Sequence, residues 1–197
     1  MKKILLTLSI ACMYVAGSLN AQKNTSWSLD KDHTQIQFKA VYMGINDVYG
    51  QFTDYSTTIK TDGEKFEGAE IMVTIKANSL ESGNDKRDGH LKSEDFIHAE
   101  EYPEITFKSQ SFEKTGNSKF KLRGELTIRG VTKTEEFDVD YKGMVTMQGQ
   151  KRAVFSLNGT INRYDYDVDW NKTFAQGLVV SKEIDIIVEA SLVTKAE

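Results

Sequence analysis

The side chains in this 197-residue chain best suited to hold a metal or attack a substrate are three histidines, His33, His90 and His98, and one cysteine, Cys12. Zinc sites draw on closely set His and Cys pairs. His90 and His98 are separated by a break in the pattern, His33 stands alone before a strand, and Cys12 lies in an N-terminal apolar run. No metal site is expected, and His33 is expected to bond backbone. Asp88 and His90 could serve as a base and its orienter, which would make the chain an envelope hydrolase or isomerase. That is the rival reading. A Gly-x-Ser-x-Gly nucleophile turn does not occur, and carboxylates near a histidine say little in an acidic chain. No catalytic residue and no cofactor is expected.

Arg87 with Asp88, and Arg163 with Asp165, form a second kind of constellation. Each couples a guanidinium to a nearby carboxylate, the geometry of two-point hydrogen bonding. The plainer and preferred reading is that these pairs tie connecting segments to the rim of the fold. The sharper one is that Arg87, Arg163 or His90, with Asp88 beside them, meets an anionic ligand head such as a diphosphate. Tyr164, Tyr166, Trp170 and Phe174 follow Arg163 closely. They read either as rim packing or as the mouth through which a chain-like ligand enters, since aromatic rings bury large areas while Tyr and Trp keep a polar tip.

Strands must position these groups. Ile36, Phe38 and Ala40 alternate with Gln35, Gln37 and Lys39, and Ile71, Val73 and Ile75 repeat the pattern. Phe120, Leu122, Leu126 and Ile128 do so again, as do Phe137–Tyr141, Phe155–Ile161 and Ile184–Leu192. A period of two with one polar side marks half-buried antiparallel strands. Asp62–Gly63, Thr115–Gly116–Asn117, Gly130 and Gln148–Gly149–Gln150 supply turns. About eight strands are expected. They can close into a barrel or stack as a sandwich on pattern alone, and glycines within them, Gly50, Gly124 and Gly159, allow sharp bends or the close approach of a ligand. The one long interruption runs from Asn84 to Pro103. Asn84 or Asp85 can cap a helix there, and Gly89 limits it to about two turns, so a short helical crossing is expected near residues 85–95. The outward faces carry Lys121, Arg123, Glu125, Arg129, Asp138, Asp140, Asp185 and Glu189, which excludes a lipid-facing outer-membrane barrel.

The first 21 residues read as a secretory signal peptide: Lys2 and Lys3, an apolar run from Ile4 to Val15, and small residues up to a cut after Ala21. The domain then spans 22–197 and is periplasmic or secreted, without a cysteine. The formal net charge of the whole chain is −4, and loss of the two lysines makes it more negative, which argues against a nucleic-acid surface.

Four runs share order and spacing with a known family: Trp27–Asp30 with His33–Thr34, then Val48–Phe52, then Ser79–Gly83 into Arg87–Leu91, then Tyr102–Phe107. Gly124–Lys133 and Asn162–Tyr166 complete the set. The chain resembles the YceI-like, polyisoprenoid-binding, lipocalin-like proteins over nearly all of residues 22–197. Thr34 stands where serine is commoner, and Asp167 where glycine is usual, so a differently shaped turn is expected there. The resemblance implies an eight-stranded antiparallel barrel. It also implies a long apolar ligand inside, an isoprenoid, quinone or fatty-acid-like chain, held by a carrier or storage protein of the cell envelope. Phe38, Phe52, Ile75, Phe107, Leu126, Phe155 and Ile186 are the expected inward set, with Tyr166 and Trp170 at the mouth. No nucleic acid and no stable membrane insertion are expected. A homodimer is left open, as is a stress-induced binding module without a fixed ligand.

Overall fold

The computed structural model describes residues 24–175 and 177–194. The expected signal peptide, with Cys12, lies outside the described residues. The alternating stretches form ladder segments β1 (Asn24–Leu29), β2 (Gln35–Tyr42), β3 (Asn46–Phe52), β4 (Tyr55–Asp62), β5 (Lys65–Lys76), β6 (Leu80–Glu81), β7 (Glu104–Lys114), β8 (Lys119–Ile128), β9 (Val131–Met147), β10 (Gln150–Asn162), β11 (Thr173–Phe174), β12 (Gly177–Leu178) and β13 (Val180–Thr194). The ring β1-β4-β5-β7-β8-β9-β10-β13 closes through antiparallel pairing of β13 with β1. This is the expected eight-stranded antiparallel barrel, with no sandwich. β2, β3 and β6 continue three of its staves beyond short breaks and pair among themselves and with β13.

One such break is handled by Thr34. β13 pairs with β2 up to Glu189 and with β1 from Leu192. At the change of partner the Thr34 hydroxyl accepts from the Ser191 amide at 3.1 Å and faces the Ser191 carbonyl at 3.4 Å. Its buried hydroxyl thereby replaces ladder bonds that the break removes.

The registers put the short turns 63–64, 115–118 and 148–149 at one end, the base, together with residues 24 and 194. The other end, the mouth, carries the β2–β3 tip, the crossing 82–103, the turn 129–130 and the crossing 163–179. The base is filled by rings. Phe155 meets Phe66 edge-on at 4.8 Å and Tyr141 at 5.0 Å, Phe112 stacks on Phe120 at 4.7 Å, and Trp27 leans on Phe66 at 5.1 Å. Such pairs add to the area they bury. The indole N–H of Trp27 is satisfied by the Thr61 hydroxyl at 2.9 Å.

At the mouth, α1 (Asp85–Lys92) is the expected two-turn helix. Its first turn is capped by the Asn84 side chain, which accepts from the Arg87 amide at 3.0 Å. Outside, charges pair across neighbouring strands: Lys121 lies 3.0 Å from Asp138 and 3.1 Å from Glu136, and Lys39 lies 2.9 Å from Asp185. Grease is inside and charge outside. Asp167 adopts φ 57°, ψ 23°, the left-handed conformation that glycine enters freely and aspartate tolerates. The aspartate is thus accommodated in a glycine-like turn.

Candidate functional site

Above the aromatic base the barrel encloses a cavity of about 310 Å³ whose exposed lining is carbon almost throughout. Phe38, Phe52, Ile75, Phe107, Leu126, Phe155 and Ile186, the expected inward set, border it, as does Tyr166, expected at the mouth. They do so from different heights. Phe155 belongs to the base, where it is 6 % exposed among four other rings. Phe38 and Phe52 are only half-buried, and their rings meet at 6.0 Å.

Three rings are laid flat against the wall by glycines. A Cβ on Gly50 would fall 2.3 Å from Phe38, one on Gly124 2.5 Å from Phe107, and one on Gly159 2.3 Å from Phe137. The close approach that these glycines permit is that of a neighbouring phenyl ring and not, as expected, that of a ligand.

The crossings cover the mouth. Leu91, Phe96 and Ile97 from the first, and Tyr166 and Val168 from the second, line the cavity. The first crossing is mostly polar, and its few apolar residues are the ones turned inward. Their signal was an apolar triplet in a charged stretch, but sequence periodicity is lost at a helix end. Trp170 does not line the cavity. It packs outside Phe96 at 5.1 Å, with His90 edge-on to both, 4.8 Å from Trp170 and 4.9 Å from Phe96. Tyr166 is fully buried, and its hydroxyl donates to Glu135 at 2.6 Å. Burial, aided by that carboxylate, holds the phenol proton far above its usual range.

The expected Arg–Asp pairs are not formed. Arg87 donates to Ser82, to Oγ at 2.7 Å and to the carbonyl at 2.6 Å, while the Asp88 carboxylate accepts from the Ser82 amide at 2.9 Å and from its hydroxyl. The two meet through Ser82 and fasten α1 to the end of β6. Arg163, 4 % exposed, donates to backbone instead of to Asp165. Its acceptors are the carbonyls of Ser181 at 2.9 Å, Val168 at 2.5 Å, Trp170 at 3.0 Å and Val180 at 3.4 Å. It borders the cavity under the Phe96 ring, and burial lowers its pKa. Because an arginine stays charged in proteins, these carbonyls are what make its burial tolerable. Asp88 and His90 are not joined either: His90 bonds Asp95 at 2.8 Å. His33 bonds the Asp30 carboxylate at 3.0 Å, a side chain where backbone had been expected. Of the rim set, Arg87, Asp88 and His90 lie outside the cavity lining and Arg163 borders it.

A closed antiparallel barrel with an apolar-lined chamber, a packed base and a crossed mouth places the chain among the lipocalin-like barrels. It belongs to the YceI-like family: the model of the YceI-like domain matches residues 27–192. A Staphylococcus aureus protein, UPF0312 protein SAB2563, is 32% identical over 169 residues, covering 85% of this chain and 95% of that protein. The crystal structure of the Campylobacter jejuni YCEI protein is 34% identical, with TM-score 0.69, over 80% of this chain and 90% of that one. A polyisoprenoid binding domain from Saccharophagus degradans, implicated in plant cell wall breakdown, shares the fold at 17% identity with TM-score 0.62, covering 88% of this chain and 99% of that one.

Proposed function

We propose that this barrel takes up the apolar chain of a polyisoprenoid or similar single-chain lipid and carries or stores it in the cell envelope, after export directed by residues 1–21. The enclosed apolar cavity is the observation that carries the reading. Each Å² of apolar surface removed from water there stabilises the complex by about 25 cal/mol, and a wall without exposed polar atoms leaves no donor unpaired when a chain enters. The shared fold with the polyisoprenoid binding domain from Saccharophagus degradans supports the same reading. The volume, about 310 Å³, lies at the small end of ligand sites, roughly 300–1,000 Å³. A long polyisoprenoid therefore places part of its chain inside, and the remainder leaves through the mouth with its head. Asp88 and His90 bond Ser82 and Asp95 respectively and not each other, so the base-and-orienter pair of the rival reading is not assembled.

Competition against a fluorescent prenol analogue tests the proposal. Prenols and fatty alcohols should displace it with affinity rising with chain length until the chamber is full. Affinity that does not depend on chain length would mean that the chamber does not take the tail.

A further inference from the structure

The tip between β2 and β3 carries apolar side chains where its backbone favours polar ones. Met43 and Gly44 both have positive φ, 52° and 74°, and the Ile45 amide closes the turn on the Tyr42 carbonyl at 3.3 Å. Two left-handed residues in succession make a hairpin turn for which Asn followed by Gly is the favoured pair. Methionine in that region is uncommon. Ile45, next in the chain, is 90 % exposed, and Tyr42 and Met43 are exposed as well. Neither the turn nor the core requires these groups.

Their position supplies a reason. Tyr42 continues the strand face of Ile36, Phe38 and Ala40, which line the cavity. The apolar track inside the barrel thus runs out along β2 to the tip. The tip is pinned to the mouth crossing, where the Met43 amide donates to the Val179 carbonyl at 2.8 Å. Around that crossing the Lys172 ammonium lies 5.9 Å from the Trp170 ring, and Lys182 lies 5.2 Å from that of Tyr164. Neither lysine takes part in an ion pair among the described residues. Trp and Tyr beside Lys are the residues of membrane–water interfaces. Asp167, Asp169 and Glu183 share this end, so apolar insertion, not net charge, must supply most of the attraction.

We propose that the Tyr42–Asn46 tip docks the mouth end of the barrel on a phospholipid surface. Met43 and Ile45 enter the acyl boundary, and Tyr164, Trp170, Lys172 and Lys182 lie at headgroup level. Two inserted side chains give reversible contact without spanning. Docking goes beyond carriage, since it sets the covered end of the chamber against the bilayer from which a chain would come. It needs no ligand, so it can fail while carriage stands.

Co-sedimentation with vesicles of phosphatidylethanolamine and phosphatidylglycerol tests it. Each inserted side chain is worth about tenfold in partitioning. Ile45→Thr keeps a β-branched residue and should lose about that factor. Met43→Asn should lose a similar factor while raising the melting temperature, because asparagine suits the left-handed turn. A purely structural role for the tip would not give that combination. Wild-type protein that remains in the supernatant, or variants that sediment as it does, would overturn the proposal. So would a concentration-dependent dimer that Ile45→Thr dissolves with vesicle binding unchanged; the tip would then join two copies of this chain.

Discussion

Phe38 lies across Gly50 on the neighbouring strand, so closely that a Cβ there would stand 2.3 Å from the ring. The glycine lets a large ring lie along the wall instead of projecting into the chamber. Gly50→Ala should swing Phe38 inward. The displaced atoms are the far end of a side chain with open space beside it, so stability should change little while ligand affinity falls. Gly124 differs, because a Cβ there would also meet the Lys108 carbonyl at 2.4 Å. Gly124→Ala must move backbone and should cost about 1–3 kcal/mol. Paired denaturant melts and ligand titrations check this; equal effects of the two substitutions would contradict it.

Height in the barrel should separate the inward phenylalanines. Phe155→Ala removes a ring from the packed base and should cost about 3–5 kcal/mol, with the fold the first thing affected. Phe52, half-buried beside the cavity with Phe38 as its ring neighbour, has fewer partners to lose. Phe52→Ala should cost less stability and change affinity more. Urea unfolding of both variants decides it, and a full-sized loss at Phe52 would mean that side chains fill the chamber there.

Arg163 should behave as a fastener. Arg163→Leu leaves the carbonyls of Ser181, Val168 and Trp170 without their donor, and each buried orphan costs about 1–3 kcal/mol. A loss above about 3 kcal/mol is expected from three such groups. A variant as stable as wild type but unable to bind an anionic lipid would instead make Arg163 a head-group contact.

Alternation made the strands legible, but a period of two leaves barrel and sandwich both open, and closure was implied by the family resemblance. Which inward residues share a level was not legible, because a period of two gives the face and says nothing of height; Phe155 and Phe52 look alike in sequence. The inward role of Leu91, Phe96 and Ile97 in the first crossing was not legible, because they fit neither strand nor helix spacing. Arg163 near Asp165 suggested an ion pair. The chain instead turns back at Asp167 and presents carbonyls from 168–181 to the guanidinium.

Asp30 links pH to stability at the base. The Arg152 guanidinium beside it, with His33 adding to the effect, holds its carboxyl below the usual range against the opposing cost of burial. A carboxyl whose pKa is lower folded than unfolded adds stability that is present above its unfolded value, about 4. That stability is lost as pH falls through the folded value. Asp30→Asn should therefore weaken the protein at neutral pH and show a shallower loss on acidification below about pH 4. Urea midpoints across that range measure it, and parallel curves for the two proteins would contradict it.

Native mass spectrometry of the protein isolated from its own cells tests chain binding most directly. A one-to-one complex with a single-chain apolar lipid, displaced by an added prenol, is the expected result. Bare protein, with no complex formed on adding prenols or fatty alcohols of any length, would contradict it.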